Sequence, residues 1–311
     1  MERKGLTDEP MPRNLTKTTW QRLGRRDLGK LVALAAVGAL GSKSRASAQD
    51  AGCPTTGESA YDAALKRGAL LAAVRYDFSP FGSLNTEGQP EGFGVDIAAE
   101  FAKRLGVKVQ YVASTAATRI PLLTGGHVDV GVEVPTISVQ RQQVIDFTFP
   151  YYWDSTVPLF RKDSPFTNIQ QMKPPHKVGI SRGNVDADHV RALVPDVIIV
   201  EYPDLAAGVL ALKQGLVDAT TITANTGKVR VEENPDLKLG DPFFQDMYGI
   251  TFRQNDSRWR NWLEFTLQTM WVEGLFQSLY KKWLNAPPDF TIWSGGPARL
   301  QPGIEKWDGK V

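Results

Sequence analysis

Apolar and polar residues follow one another along the chain in short blocks with two recurring spacings. Residues 70–74 form an apolar run that breaks at Ser79 and Pro80, which predicts a buried strand. In the next block, apolar residues recur three or four positions apart, which predicts the buried face of a helix. They are Val95, Ala98, Ala102 and Leu105. Gly106 follows directly and is expected to end that helix.

Apolar runs and turn signals predict the remaining elements in the same way. Further strands are expected at residues 107–112, 128–134, 157–160, 178–180, 197–200 and 248–252. Further helices are expected at residues 119–123, 205–213 and 259–283, the last divided at Gly274. Strands that alternate with helices in a chain of 311 residues predict an α/β fold with one or two domains.

The first 48 residues have the pattern of an export signal. Two arginines at 25–26 precede a ten-residue apolar run at 31–40, and a small-x-small segment ends at Ala48. The run is shorter than the ~20 residues needed to cross a bilayer. Cleavage near Ala48 and delivery to the periplasm are therefore expected. The paired arginines favour the twin-arginine route, but residues 28–29 fit its motif poorly, so the general route stays open.

Charge is distributed unevenly between this segment and the rest of the chain. The 36 Lys and Arg and the 34 Asp and Glu include ten and four, respectively, in the first 48 residues. Residues 49–311 therefore carry 26 basic and 30 acidic side chains, a net charge of −4. A mildly acidic body is not typical of nucleic-acid-binding proteins, so no nucleic-acid partner is expected. With 42% hydrophobic and 23% charged residues, the composition is that of an ordinary globular protein.

The motifs indicate no metal, cofactor or covalent chemistry. His127, His176 and His189 share no metal-ligand spacing, and neither a Gly-x-Ser-x-Gly motif nor a phosphate-binding loop occurs. Cys53 is the single cysteine, so an intramolecular disulfide is excluded. It lies in residues 49–67, which are interpreted as a loose N-terminal arm, and an inert thiol is favoured there over a lipid attachment site.

The segment after the strand at 128–134 offers donors for an anion. Thr136 and Ser138 precede a helix start, where unpaired backbone N–H groups suit an anion. Arg141 adds a planar pair of donors suited to a carboxylate. Taken alone, these residues favour a helix N-cap beside a surface arginine. The motifs around them reverse that preference.

Those motifs resemble the periplasmic solute-binding proteins of polar amino-acid ABC importers (family 3). In chain order they are Ser-Pro-Phe at 79–81, Glu-Gly-Phe-Gly-Val-Asp-Ile-Ala at 91–98, Gly-His-Val-Asp at 126–129, Pro-Thr-Ile-Ser-Val-Gln-Arg at 135–141, Asp-Phe-Thr-Phe-Pro-Tyr at 146–151, Val-Gly-Ile-Ser-Arg-Gly-Asn at 178–184, Leu-Lys-Gln-Gly-Leu-Val-Asp-Ala at 212–219 and Tyr-Lys-Lys-Trp-Leu at 280–284. Each motif alone is weak, but their common order makes the resemblance specific.

The resemblance implies the type II periplasmic-binding-protein fold. In that fold two α/β lobes, joined by two hinge crossings, close over a ligand in the cleft between them. Lobe 1 would comprise residues 68–160 and 248–290, lobe 2 residues 161–247, and a C-terminal tail residues 291–311. The resemblance also implies a monomeric receptor, not an enzyme, that delivers its ligand to an ABC transporter permease in the inner membrane.

Ligand-binding positions carry over from the family residue by residue. The arginine that binds the ligand's α-carboxylate corresponds to Arg141, the hydroxyl beside it to Thr136, and the carbonyl that accepts from the α-ammonium to Val134. In lobe 2, the loop that presents a backbone N–H to the carboxylate corresponds to Asn184 and Val185. The resemblance therefore implies an anion-binding clamp at the cleft.

Arg75 and Arg119 extend the positive charge of this predicted site. The Arg-Ile-Pro-Leu-Leu segment at 119–123 is similar to the glutamate/aspartate-binding branch of the family, in which both arginines face a second carboxylate. Phe78, next to the turn after Arg75, is included in the site. A small anionic ligand, an acidic amino acid or a dicarboxylate, is therefore expected, although either arginine alone is compatible with a surface position.

One position departs from the family pattern. Relatives place an aspartate for the ligand's ammonium where this chain has Thr223, which carries no charge. A buried ammonium without a counter-charge is unfavourable. Either Glu133 takes over this role or the ligand has no ammonium. Alternatively, Glu133 forms a salt bridge within the cleft wall, with Arg75 or Arg119.

Two other classes of protein are considered. Some relatives are periplasmic dehydratases of cyclohexadienyl (arogenate-type) compounds, which need a cleft acid to protonate a leaving hydroxyl. Glu133 is the candidate acid, but the dehydratases' Pro-Gly-Gly-Thr-Asn-like loop is replaced by Ser-Arg-Gly-Asn at 181–184. A sensor ectodomain is disfavoured because no apolar span follows Trp283.

Overall fold

The computed structural model describes residues 57–285, together with residue 288 and the pairs 290–291 and 296–297. The predicted export signal at 1–48 and Cys53 lie outside the described residues, as does most of the predicted tail at 291–311. Within the described part of the chain, no helix is both long enough and apolar enough to cross a membrane.

Helices and strands alternate along the described chain. The helices are α1 (Ala60–Arg67), α2 (Phe93–Leu105), α3 (Arg119–Thr124), α4 (Val139–Gln142), α5 (Asp186–Leu193), α6 (Leu205–Lys213), α7 (Ala224–Glu233), α8 (Ser257–Val272) and α9 (Leu275–Leu284), with a 3₁₀ turn at Ile169–Gln171. The strands are β1 (Ala69–Arg75), β2 (Asp77–Phe78), β3 (Gly82–Leu84), β4 (Pro90–Glu91), β5 (Lys108–Ser114), β6 (Val130–Gly131), β7 (Ile145–Phe147), β8 (Tyr152–Arg161), β9 (Lys177–Ser181), β10 (Ile198–Tyr202), β11 (Ala219–Thr223), β12 (Leu237–Leu239), β13 (Phe244–Tyr248), β14 (Thr251–Arg253), β15 (Phe290–Thr291) and β16 (Gly296–Pro297). The predicted α/β class is confirmed.

The first large sheet has the strand order β5–β1–β6–β14–β7. β1 is parallel to β5 and β6, whereas β14 is antiparallel to β6 and β7. Side chains from α2, α8 and α9 share one apolar core with β1, and Phe93, Trp259 and Phe276 are fully buried in it. This sheet and its helices form lobe 1.

The second large sheet has the order β10–β9–β11–β8–β12, and β13 also pairs with β8. β9 is parallel to β10 and β11, and β8 is antiparallel to β11, β12 and β13. Its core includes the buried side chains of Val157 and Ile222 from the sheet and of Leu212 from α6. This sheet and its helices form lobe 2, so each lobe has its own apolar core.

The chain crosses between the two sheets twice, after β7 and after β13. The crossings run side by side, because the Thr148 N–H donates to the Ile250 carbonyl at 2.9 Å and the Tyr151 N–H donates to the Tyr248 carbonyl at 3.0 Å. The rings of Tyr152 and Tyr248 stack there, with centroids 5.5 Å apart. These paired crossings form the hinge of the two-lobed fold.

Several local predictions agree with the structure and others do not. The helix end at Gly106 is confirmed, since this residue caps α2 with a left-handed φ of 71°, and the division at Gly274 separates α8 from α9. The strand predicted at 128–134 pairs only at β6, and Val134 beyond it has a φ of 47°. The strand predicted at 248–252 is divided, because the chain changes sheets between β13 and β14.

Two segments differ from the predicted domain boundaries. β8 lies wholly in the second sheet, although the sequence predicts residues up to 160 in lobe 1, because the chain has already crossed the hinge before Tyr152. Part of the predicted N-terminal arm is the helix α1. The Ser59 side chain caps this helix, and Ala60 and Ala64 are buried in the core of lobe 1.

Candidate functional site

The cleft between the two sheets is lined by residues from both lobes and from the hinge. Most residues predicted for the site line it, namely Arg75, Phe78, Arg119, Glu133, Val134, Thr136, Asn184 and Thr223. Arg141 and Val185 are not part of that lining within the described chain. The cleft therefore collects side chains from β1, α3, β11 and the segments after β6 and β9.

Arg141 lies beside the cleft and contacts both lobes. Its backbone N–H donates to the Ser138 hydroxyl at 3.3 Å, which caps α4 as the local sequence favours. The buried guanidinium donates through Nη1 to the Thr136 carbonyl at 2.8 Å and through Nη2 to the Gly183 carbonyl at 3.0 Å. The segment is thus both an N-capped helix start and the holder of a buried, donor-rich cation at the cleft.

Gly183 lies close to the backbone of lobe 1. A Cβ atom at this position would lie 2.6 Å from the Ala116 carbonyl oxygen and 2.9 Å from the Ala117 Cα of lobe 1. Its φ of 80° also lies in the left-handed region that favours glycine. A second contact joins the lobes, since the Arg230 guanidinium on α7 donates to the Asp77 carbonyl at 2.8 Å. The structure therefore has the lobes closed against each other.

Arg75 has a partner within lobe 1. Its Nε and Nη2 donate to the two carboxylate oxygens of Asp77 at 2.7 and 2.8 Å. The guanidinium also lies over the Phe78 ring, 4.7 Å from the ring centroid. Arg75 is buried at the cleft wall, but Asp77 balances its charge. Glu133 is therefore not its ion-pair partner here.

Arg119 and Glu133 form the least satisfied part of the cleft. The Arg119 Nε has no hydrogen-bond partner among the described residues, and burial and the nearby Arg141 lower the pKa of its guanidinium to about 9. Glu133 accepts from the Ser114 hydroxyl through Oε2, whereas Oε1 has no partner in the described chain. Burial raises the pKa of Glu133, although Arg119 counteracts the effect. Both side chains present unused polar atoms at the cleft.

Two aspartates of lobe 2, Asp186 and Asp246, also line the cleft. Neither was singled out from the sequence. Asp186 is in the first turn of α5 and accepts from the Asn184 side-chain amide at 3.0 Å. Burial, with the neighbouring Asp246, raises the pKa of Asp186 to about 7. Asp246 is on β13, accepts from the Thr156 hydroxyl, and has a pKa raised by burial.

The remaining predicted positions are at the ends of strands. Thr223 ends β11, and its hydroxyl has no hydrogen-bond partner within the part of the chain that the structure describes. The N–H groups of the lobe 2 loop are in use, because Asn184 donates to the Ser181 carbonyl and Val185 to the Asn184 side chain, both at 3.0 Å. Val185 therefore offers no free N–H in this closed form.

The signals for the missed aspartates were weak but present. Asp186 directly follows the loop that the family resemblance implicates. It lies in the first turn of α5, where an acid ordinarily stabilises the helix, so its sequence position gives no separate sign of a role in binding. Asp246 lies just before the second hinge crossing, on a strand that alternates exposed and buried residues. Only the pairing of β13 with β8 brings it beside Thr156 and towards the cleft.

Histidines and acids do not assemble a metal site in the described residues. His127 is exposed, His176 lies 3.5 Å from Asp218 at the surface, and His189 stacks on Phe244 with ring centroids 3.5 Å apart. The chemistry of the cleft is that of buried ionic groups and hydroxyls, which suits the binding of a small charged molecule.

Residues 70–286 match the sequence profile of the bacterial extracellular solute-binding proteins, family 3. The chain is 30% identical over 266 residues to the ABC transporter glutamine-binding protein GlnH of Bacillus subtilis, covering 83% of this chain and 94% of that protein. It is 26% identical over 242 residues to the glutamate-binding protein GluB of Corynebacterium glutamicum, covering 72% of this chain and 81% of that one.

The fold is similar to that of solved two-lobed amino-acid-binding proteins. One is the ancestral amino acid-binding protein AncCDT-1, described as a precursor of cyclohexadienyl dehydratase. The two structures have a TM-score of 0.68 and 28% sequence identity, covering 72% of this chain and 99% of that chain. Both the sequence and the fold comparison thus extend across the two lobes and the cleft between them.

Proposed function

The chain belongs to the bacterial extracellular solute-binding proteins, family 3, and we propose that it is the receptor of an ABC importer for a polar amino acid. Its relatives in Bacillus subtilis and Corynebacterium glutamicum are named as glutamine- and glutamate-binding proteins. The export pattern of the first 48 residues supports a periplasmic location, and the receptor would deliver its ligand to a permease in the inner membrane.

The observation that carries this proposal is the meeting of buried charges of both signs at one cleft. Arg75, Arg119 and Arg141 lie on lobe 1, whereas Asp186 and Asp246 lie on lobe 2. A free amino acid carries a carboxylate and an ammonium, so it can pair with both lobes at once and stabilise their closure. A thermal-shift and calorimetric screen of the twenty amino acids and of dicarboxylates tests the proposal.

The charges around the cleft favour a ligand that keeps its ammonium. Three arginines face four carboxylates when the partner of Arg75 is included, namely Asp77, Glu133, Asp186 and Asp246. A bare dicarboxylate would add two negative charges to a site in which carboxylates already outnumber arginines by one, which is unfavourable in a buried environment. We therefore propose an acidic amino acid, with Arg119 facing its second carboxylate through the unused Nε.

Arg119→Gln should lower the affinity for L-glutamate by about 30-fold or more, because removing one partner of a buried charge pair costs ~2–5 kcal/mol. The affinity for L-glutamine should fall by less than about fivefold, since a neutral amide does not need the arginine's charge. Isothermal titration calorimetry measures both. Arg182→Gln is the matched control, because Arg182 is exposed on the lobe 2 loop. If Arg119→Gln lost the same affinity for L-glutamate and L-glutamine, Arg119 would not select between the two ligands.

A dehydratase activity is the second candidate, because the fold is similar to a protein described as the precursor of one. Glu133 is buried with a raised pKa, as a proton donor would need. The precursor itself is described as an amino acid-binding protein, and the relatives named above are binding proteins, which supports the receptor. Incubation with a cyclohexadienyl amino acid, followed by chromatography for a dehydrated product, separates the two functions.

A further inference from the structure

Asp186 and Asp246 form a pair of buried carboxylates on one wall of the cleft. They come from different elements, the first turn of α5 and the strand β13, and are 3% and 1% exposed. The charge of Asp246 disfavours the charged form of Asp186 and so contributes to its raised pKa. Two like charges in a buried site cannot both be held without a compensating cation or proton.

The protein itself supplies only part of that compensation. Asp186 accepts from the Asn184 amide, and Asp246 accepts from the Thr156 hydroxyl. The second oxygen of Asp246, Oδ1, is buried at the cleft and has no hydrogen-bond partner in the described chain. Arg141 is the near cation, but its guanidinium hydrogen bonds within the described chain go to backbone carbonyls and not to these carboxylates, and each terminal nitrogen keeps a second N–H for a ligand. A donor from outside the protein would complete the pair.

We propose that Asp186 and Asp246 together bind the positively charged nitrogen of the ligand, and that the proton that Asp186 carries in the free protein is released when the ligand enters. The inference rests on the proposed amino-acid-binding function and assigns one end of that ligand. Thr223 lines the same cleft with a hydroxyl that has no partner in the described chain and carries no charge, so it cannot neutralise the ligand's nitrogen in place of the pair.

The position of Arg141 supports this assignment. Asp186 and Asp246 both act on the Arg141 guanidinium electrostatically, so the cation and the pair are close enough to hold the two ends of one amino-acid head group. The carboxylate would bind at Arg141 and the ammonium at the pair. Each buried charge of the protein would then face an opposite charge of the ligand, which removes the mismatch between the two aspartates.

The sign of the pH effect follows from the raised pKa of the pair. With a pKa of about 7, Asp186 is protonated in the free protein below that pH and charged above it. A ligand cation binds the charged form, so affinity is full above pH 8 and falls by up to about tenfold per pH unit below pH 7. The charged or titratable groups that act electrostatically on the pair are Arg119 and Arg141 of lobe 1, His189 on α5 and Tyr248 at the hinge.

The test compares amino acids with their des-amino analogues on the exported, processed protein. L-glutamate is paired with glutarate and L-glutamine with glutaramate, and each is titrated calorimetrically between pH 5.5 and 8.5. Two buffers of different ionisation enthalpy report the protons released. For the wild type we expect the amino acids to bind at least about 100-fold more tightly than their analogues, with close to one proton released at pH 5.5.

Two isosteric variants locate the effect. Asp186→Asn and Asp246→Asn should each weaken the amino acids by about 30-fold or more while changing the analogues by less than about fivefold. Both should reduce the proton release. Asp188→Asn is the matched control, since Asp188 lies in the same turn of α5 with its side chain 72% exposed. His189→Gln separates any contribution of the neighbouring imidazole to the pH profile.

Each outcome decides between the function and the inference. If the wild type binds none of the four compounds nor any other amino acid, the proposed function fails and the assignment falls with it. If the wild type binds an amino acid tightly and the two variants bind it equally well, the receptor function stands and the carboxylate pair is rejected. If a variant does not fold, equal affinities of the wild type for an amino acid and its analogue, with no proton release, still overturn the inference.

Discussion

Arg141→Ala is expected to abolish measurable amino-acid binding. The guanidinium is buried between the lobes and is the cation that Asp186, Glu133 and Asp246 all act on. Truncating one partner of a buried charge pair costs ~2–5 kcal/mol, which is a loss of about 30-fold to several thousandfold in affinity. The variant also loses the hydrogen bond to Gly183 that joins the closed lobes. Calorimetry against the best ligand of the screen measures the loss.

The thermal unfolding of the ligand-free Arg141→Ala protein should change little. The aspartates around Arg141 already have raised pKa values, so they can take up protons when the guanidinium is removed. Arg141→Lys should recover only part of the affinity, because an ammonium keeps the charge and loses the planar fork. Arg182→Ala, one residue from Gly183 and exposed, is the control. Affinity within a few-fold of wild type for Arg141→Ala would contradict its role.

Gly183→Ala is expected to prevent full closure of the lobes. A Cβ at this position would lie 2.6 Å from the Ala116 carbonyl, and backbone atoms on both sides cannot move aside easily. Overpacking of this kind costs ~1–3 kcal/mol, and a left-handed φ adds ~1 kcal/mol for a residue with a side chain. The closed state should therefore weaken by about 30- to 900-fold. Because open lobes can still meet the ligand, the dissociation rate should carry most of the change.

Stopped-flow kinetics and small-angle scattering check this expectation. The variant should bind ligand at a nearly normal rate, lose it faster, and show a smaller decrease in radius of gyration on ligand addition. Gly215→Ala is the matched control, since Gly215 has a φ of 73° in lobe 2 and only the Arg161 guanidinium, 3.9 Å away, near its Cβ position. The control isolates backbone strain from the clash. If the radius of gyration of Gly183→Ala decreased on ligand addition as much as that of the wild type, the close contact at Gly183 would not limit closure.

The sequence predicted the parts of the molecule that depend on local pattern. Helix α2 and its end at Gly106 followed from apolar spacing and one glycine, and the family followed from ordered motifs. Arg141 was singled out because its motif resembles the carboxylate-binding segment of the family, and the structure buries it beside the cleft. The division of the strand at 248–252 was not predictable in this way, since apolar residues continue through the hinge while the backbone changes sheets.

Partnerships between distant elements were the part that sequence could not supply. Arg75 was expected to face the ligand, and it does line the cleft, but Asp77, two residues away, accepts from its Nε and Nη2. Asp186 lies at an ordinary helix start. Asp246 is sixty residues further along the chain, and it comes near Asp186 because its strand, β13, pairs with β8. The electrostatic balance of the cleft therefore changed once these carboxylates were included, from an excess of positive charge to near neutrality.

The contact between Arg230 and the Asp77 carbonyl has a consequence for how such a receptor can diverge. It joins α7 to β2 across the two lobes and uses the backbone of lobe 1, so it does not depend on which compound fills the cleft. Substitutions at this contact between the lobes can alter the fraction of molecules that are closed, and the apparent affinity scales with that fraction. The affinity for every ligand can thus be adjusted alike at this contact, separately from the ligand choice that we propose for Arg119.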